Sequence, residues 1–137
     1  KAYFLNYKDK KIEAVKTGEF WKFCINIDIR KNISSFITSI TISNSEGILI
    51  RTIYDNPKTI NKGIYNVEIV NDDFVYSCTN LFITVGISNF EKPIEYLENI
   101  VKLEVVNIPD QNLDSRIIRT NNKAFLLNPM KVNYIKK

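Results

Sequence analysis

Lys22, Cys24, Asn26, Asp28 and Arg30 alternate with Trp21, Phe23, Ile25, Ile27 and Ile29 along the run Phe20 to Arg30. Strict alternation puts the polar set on one wet strand face and the apolar set on one buried face. An amide and fixed charges of this kind can bond sugar hydroxyls directionally. Lys22 and Arg30 add attraction for a carboxylate or phosphate, and an arginine can grip such a group with two parallel bonds. Phe82 and Thr84 take the outward positions of the run Leu81 to Ser88. An aromatic ring there offers an apolar platform for the C–H face of a pyranose. Arg51 brings a further cation on a hairpin arm. If the two runs adjoin on one face, the parts of a sugar site are Lys22, Asn26, Arg30, Arg51, Phe82 and Thr84. The plainer alternative is a solvated face with ion pairs such as Asp28–Arg30. Trp21 falls in register with the apolar set and reads as core. Tyr54, Tyr65, Tyr76 and Tyr96 stand at strand ends or in loops, where each can pack or stack on a ligand.

Hydrolytic and redox chemistry find little to work with. The chain has no histidine. That removes the Ser-His-Asp and Cys-His systems, the imidazole base and imidazole zinc sites. Cys24 and Cys78 are too few for a thiolate zinc site and read as free thiols in a reducing compartment. The close carboxylates are Asp72-Asp73 and the pair Glu95 and Glu98. A glycosidase needs two carboxylates facing each other across a cleft, and adjacent strand residues point apart. As turn residues, Asp72 and Asp73 would bond nearby backbone N–H groups. They lack the spaced loop of a calcium site. None of the four glycines belongs to a phosphate-cradling motif. The expectation is a binding module, not an enzyme, with no metal and no cofactor.

The formal charge is +4, spread along the chain without the clustered stripe of a nucleic-acid binder. No apolar stretch is long enough to span a membrane as a helix. The chain opens at Lys1 without an initiator Met or a signal peptide and reads as a piece of a longer protein.

These side chains must be positioned by strands. Ile occurs 22 times and Ala 3 times, a balance that favours pleated, half-buried surfaces over helices. Runs of period two are expected at 2–8, 11–15, 20–30, 36–43, 48–54, 64–70, 81–88, 100–106 and 123–135. Asn, Asp, Gly, Ser and Pro separate them, with Ser45-Glu46-Gly47 as a hairpin turn. About nine strands of this spacing predict an all-β sandwich of two antiparallel sheets, with a closed barrel as the alternative. One domain is expected. Residues 1–106 form its body, and 107–137 form a polar loop plus a C-terminal strand.

The order and spacing of several short motifs resemble one family. They are Lys16-Thr17-Gly18-Glu19-Phe20 before a long strand, Asn44-Ser45-Glu46-Gly47 in a hairpin, Gly63 opening a strand, Leu81 to Ile87, and the strand Ile100 to Val106. Over roughly residues 2–106 the chain resembles the C-terminal carbohydrate-binding domain of the ATP-binding subunit of O-antigen polysaccharide ABC transporters, the Wzt type. The resemblance implies an immunoglobulin-like sandwich and a homodimer that exchanges C-terminal strands. It implies recognition of the non-reducing end of a lipid-linked polysaccharide before export, an end that the cations above suit if it is capped by an anionic group. It further implies an upstream ATPase domain, a membrane transporter subunit as partner, and a place in the bacterial cytoplasm at the inner membrane. No nucleic-acid partner is expected. The alternative reading is an immunoglobulin-like structural or protein-binding adhesion module.

Overall fold

The computed structural model describes residues 1–71, 76, 80–109 and 131–136. The described chain is built of strands: β1 (Ala2–Leu5), β2 (Lys11–Ile12), β3 (Ala14–Thr17), β4 (Trp21–Ile29), β5 (Ile33–Ser43), β6 (Leu49–Tyr54), β7 (Lys58–Ile60), β8 (Gly63–Asn71), β9 (Asn80–Asn89) and β10 (Lys92–Pro109). They form two sheets. The first has the order β2-β1-β4-β8 and is antiparallel throughout. The second has the order β3-β10-β9-β5-β6, and β7 also pairs with β5.

Alternation dictates how the sheets meet. β4 turns Trp21, Phe23, Ile25, Ile27 and Ile29 inward, and Phe4 of β1 joins them. From the other sheet come Ile40 and Ile42 of β5, Leu81, Ile83 and Val85 of β9, and Leu103 of β10. The result is an immunoglobulin-like β-sandwich, in which two inner faces exclude water from one shared core. The buried set includes the inward residues expected of β4 and β9, Trp21 among them.

Several expectations need correction. The run 11–15 is not one strand: it breaks at Glu13, so that β2 serves the first sheet and β3 the second. β3 runs parallel to β10, not antiparallel. β7 and the first arm of β10 were not expected as strands, because Lys92-Pro93, Glu95 and Asn99 interrupt the apolar pattern. Of the expected final strand, residues 123–130 lie outside the described residues. Residues 131–136 are exposed and form no strand. Cys78 and the Asp72-Asp73 pair also lie outside the described residues.

Turns hold the registers. Asn44 accepts bonds through its side-chain oxygen from the N–H groups of Glu46 (3.0 Å) and Ile48 (2.9 Å). Gly47 follows at φ +78°, a conformation that glycine adopts without steric cost. The β9–β10 turn lacks that device: Phe90 sits at φ +52° and is 61% exposed. A bulky residue there costs about 1–2 kcal/mol, while glycine costs about 0.5–1 kcal/mol in chain entropy. Phe90→Gly is therefore expected to stabilise the domain by about 0.5–1 kcal/mol. Urea unfolding checks this, and a destabilised variant would show that the exposed ring packs more than its strain costs.

Candidate functional site

The candidate sugar residues do not share a face. Lys22, Asn26 and Arg30 follow the outward side of β4, in the first sheet. Phe82 and Thr84 are on the outward side of β9, in the second. The core separates the two groups. Arg51 points inward instead: it pairs with buried Ile42 across the β5–β6 ladder and lines a small void with Trp21 and Asn71. Burial pushes the Tyr76 phenol up, and the nearby Arg51 guanidinium opposes that rise.

On the first sheet the candidate cations Lys22 and Arg30 already have partners. Lys22 Nζ lies 2.7 Å from Asp9 and 3.0 Å from Glu68, and its side chain is 15% exposed. Bonds to these two carboxylates raise its pKa above the ordinary lysine value. Arg30 faces Asp28 at 3.7 Å. Asn26 and Arg30 line a cleft of about 780 Å³ with Lys31, Lys92 and Glu95, but its lining includes no aromatic ring. Cys24, expected on the wet face, is fully buried there, and burial raises its thiol pKa.

A group whose folded pKa is raised stabilises fully below its unfolded pKa, and that stability is lost as pH rises through the folded value. The advantage of the wild type over Lys22→Met should therefore hold at neutral pH and shrink in strongly alkaline solution. Thermal melts of both proteins across that range check it. A difference that grows with pH would contradict the ion-pair assignment.

The second sheet carries a different arrangement. Antiparallel registers align Tyr54 with Ser39, Ser39 with Gly86, and Gly86 with Tyr96. Directly opposed residues share a face, so the four form one row across β6, β5, β9 and β10. Tyr54 is 74% and Tyr96 66% exposed. Three strand spacings separate their backbones, about 14–15 Å. Between them the row is low. Gly86 has no side chain, and a Cβ there would lie 2.6 Å from Ser39 Oγ. Ser39 Oγ donates to the Gly86 carbonyl at 3.4 Å.

The next row is hydroxyl-bearing: Thr52 opposes Thr41, and Thr41 opposes Thr84. The Thr41 and Thr52 hydroxyls are 3.1 Å apart. Thr84 is buried, and its Oγ1 accepts the Asn99 N–H at 3.1 Å. It anchors the bulge where the β10 register shifts between Leu97 and Val101. Phe82 lies one row further on, opposite Ser43 and Lys102.

Two exposed rings flanking a floor of serine, threonine and glycine can stack on sugar rings and bond their hydroxyls. Of the four tyrosines considered from the sequence, Tyr54 and Tyr96 stand here. Tyr65 donates its hydroxyl to the Asn61 carbonyl at 2.9 Å, and Tyr76 packs 6.2 Å from Trp21. Ser39, Thr41, Thr52 and Gly86 were missed. The signal that could have found them is their outward register beside inward Ile40, Ile42, Ile53, Val85 and Ile87. Among the described residues no group of three or more His, Cys, Asp or Glu could hold a metal ion, and no helix is long and apolar enough to cross a membrane.

No protein-family model and no curated protein matches the chain. Among solved structures it is similar to the crystal structure of the C-terminal domain of Wzt. The TM-score is 0.70 at 10% sequence identity, covering 99% of this chain and 81% of that one. At that identity the likeness speaks to architecture, and the chain shares the β-sandwich fold of that domain.

Proposed function

We propose that the chain is a non-catalytic carbohydrate-binding module that takes the non-reducing end of a lipid-linked O-antigen polysaccharide for export by an ABC transporter. The observation that carries the reading is the row Tyr54–Ser39–Gly86–Tyr96, with threonine hydroxyls beside it. The shared fold with the C-terminal domain of Wzt supports it, as does the order of short motifs along the sequence. A flat apolar patch without a polar centre would instead favour a protein-binding module.

The ligand end is bound chiefly through hydroxyls and C–H faces. Lys22 is engaged by two carboxylates, which weakens the case for an anionic cap. Phe82 belongs to the same sheet as the tyrosine row and extends the proposed surface, while buried Thr84 shapes it through its bond to Asn99. A small site holding a chain end makes few contacts, so affinity falls in the micromolar to millimolar range, on the order of −8 to −4 kcal/mol. The experiment is calorimetric titration with matched capped and uncapped oligosaccharides at two ionic strengths. Preference for one end structure and little salt dependence are expected. Equal affinity for both would reject end recognition, and strong screening by salt would restore an anionic cap.

The proposed assembly is a homodimer that exchanges its C-terminal strand, joined to an upstream nucleotide-binding domain and a membrane transporter subunit in the bacterial cytoplasm. An exchanged strand covers a sheet edge that would otherwise expose unpaired N–H groups. A chain ending near Asn107 is expected to become monomeric by light scattering. A truncated chain that stays dimeric and folded would sink the exchange.

A further inference from the structure

The β1–β2 hairpin ends in a turn from Asn6 to Lys10 that gathers positive charge. Lys1, Lys8, Lys10 and Lys11 are exposed, and among the described residues none of them makes an ion pair. Asp9, the acidic residue of the tip, is occupied by Lys22 at 2.7 Å. Glu13 and Glu104 line the same cleft as Lys11 without pairing with it. The neighbouring Lys1 ammonium pushes the Lys11 pKa down, as crowded like charges do.

The turn is also well ordered by its own bonds. Asn6 Oδ1 accepts the N–H groups of Lys8 (2.9 Å) and Lys10 (3.1 Å), and Asp9 N–H donates to the Asn6 carbonyl at 3.0 Å. The Asp9–Lys22 pair ties the tip to β4. Tyr7 is 65% exposed, and the Lys8 ammonium lies 5.3 Å from its ring centroid. A held turn therefore presents an amphipathic ring among unneutralised ammonium groups.

We propose that this tip docks on an anionic lipid bilayer, with Lys8, Lys10 and Lys11 at the phosphate level and Tyr7 at the headgroup boundary. Lysines near an anionic surface are attracted individually and additively. A tyrosine ring suits the interface, where one end is apolar and the other wet. An exposed turn suits a surface better than a pocketed small anion. The proposal does not rest on the sugar-binding reading, because the tip lies on the first sheet and the tyrosine row on the second.

The test is co-sedimentation of the chain with vesicles of phosphatidylcholine containing about one-third phosphatidylglycerol, against pure phosphatidylcholine, at low and high salt. Binding to the anionic vesicles and its loss at high salt are expected. Lys8→Glu/Lys10→Glu should lower the partition coefficient at least about tenfold. A control with the same charge change elsewhere, Lys31→Glu/Lys62→Glu, should lower it much less. Equal loss in the two double variants would assign binding to net charge and overturn the proposal, as would no preference for anionic vesicles. Tyr7→Trp supplies a reading independent of charge reversal: its emission should shift to the blue on the anionic vesicles, and an unshifted emission would overturn the docking geometry. Tighter binding to a single-stranded oligonucleotide, lost in the Lys8/Lys10 variant, would reassign the tip to nucleic acid.

Discussion

Trp21→Ala is expected to lower stability by about 3–5 kcal/mol, the range for truncating a large buried aromatic. Trp21 is 3% exposed. Its ring meets Phe4 edge-on at 5.7 Å and 84°, and Tyr76 at 6.2 Å. Phe4 in turn packs against Phe23 at 5.7 Å. Removing the indole leaves a hole between strands whose backbones are fixed by ladders on both sides of β4, so the site cannot collapse to fill it. With a urea slope of about 1–3 kcal/mol per molar, the unfolding midpoint should fall by more than about 1 M. Domains of this kind hold only about 5–15 kcal/mol in total, so Trp21→Phe is the companion variant that keeps the fold measurable. It should lose less, since most of the ring volume stays. Because the chain has one tryptophan, its emission reports this site directly. It should be blue-shifted and unmoved by saccharide, since the core lies between Trp21 and the tyrosine row. A loss below about 1 kcal/mol, or emission quenched by sugar, would refute the core placement.

The same residue shows why much of the fold was legible. β4 alternates without interruption from Trp21 to Ile29, and β9 keeps Leu81, Ile83, Val85 and Ile87 on one side. Period two says which side of a strand is buried. It does not say which sheet the strand joins. Lys22 and Phe82 are both outward, yet they end on opposite surfaces of the sandwich, because β4 and β9 belong to different sheets. Cys24 exposes a related limit. Its position faces out, but Tyr3 of β1 and Glu68 of β8 are its direct neighbours on that face, and it is fully buried. What covers a residue depends on strands remote in sequence.

The tyrosine row was illegible for that reason. Ser39 and Gly86 are 47 residues apart, and only the β5–β9 register makes them neighbours. Tyr96 belongs to a strand arm carrying Pro93, Glu95 and Asn99, which weakens any apolar pattern. The arm pairs nonetheless, because β9 offers it partners from Asn89 to Val85, with one register shift between Pro93 and Glu95. The bulge that follows is held by the Asn99–Thr84 bond. Thr84 therefore acts in the site through the shape of β10, a role that an outward threonine in a sequence does not reveal.

Tyr54→Ala and Tyr96→Ala should each weaken saccharide binding by about ten- to a hundredfold, the scale of about 1.5–3 kcal/mol for losing an aromatic anchor. Stability should change little, because both rings are mostly exposed and surface substitutions usually stay within about 0.5 kcal/mol. The two rings are about 14–15 Å apart at the backbone and do not touch. If both stack on one ligand, their losses should add, since separated sites couple weakly. Gly86→Ala probes the floor between them. Its methyl would lie 2.6 Å from Ser39 Oγ and 3.8 Å from the Tyr96 ring, so it must displace the serine hydroxyl from the groove. Binding should fall although the fold has an added strand-compatible side chain. A Lys22→Met variant should bind as the wild type does, because Lys22 lies on the other sheet and is held by Asp9 and Glu68. Calorimetric titration of the four variants with one oligosaccharide separates the two surfaces. Loss in Lys22→Met with Tyr54→Ala and Tyr96→Ala unaffected would move the sugar site to the first sheet. Loss in Tyr96→Ala alone would shrink the site to its β9–β10 end, around Gly86.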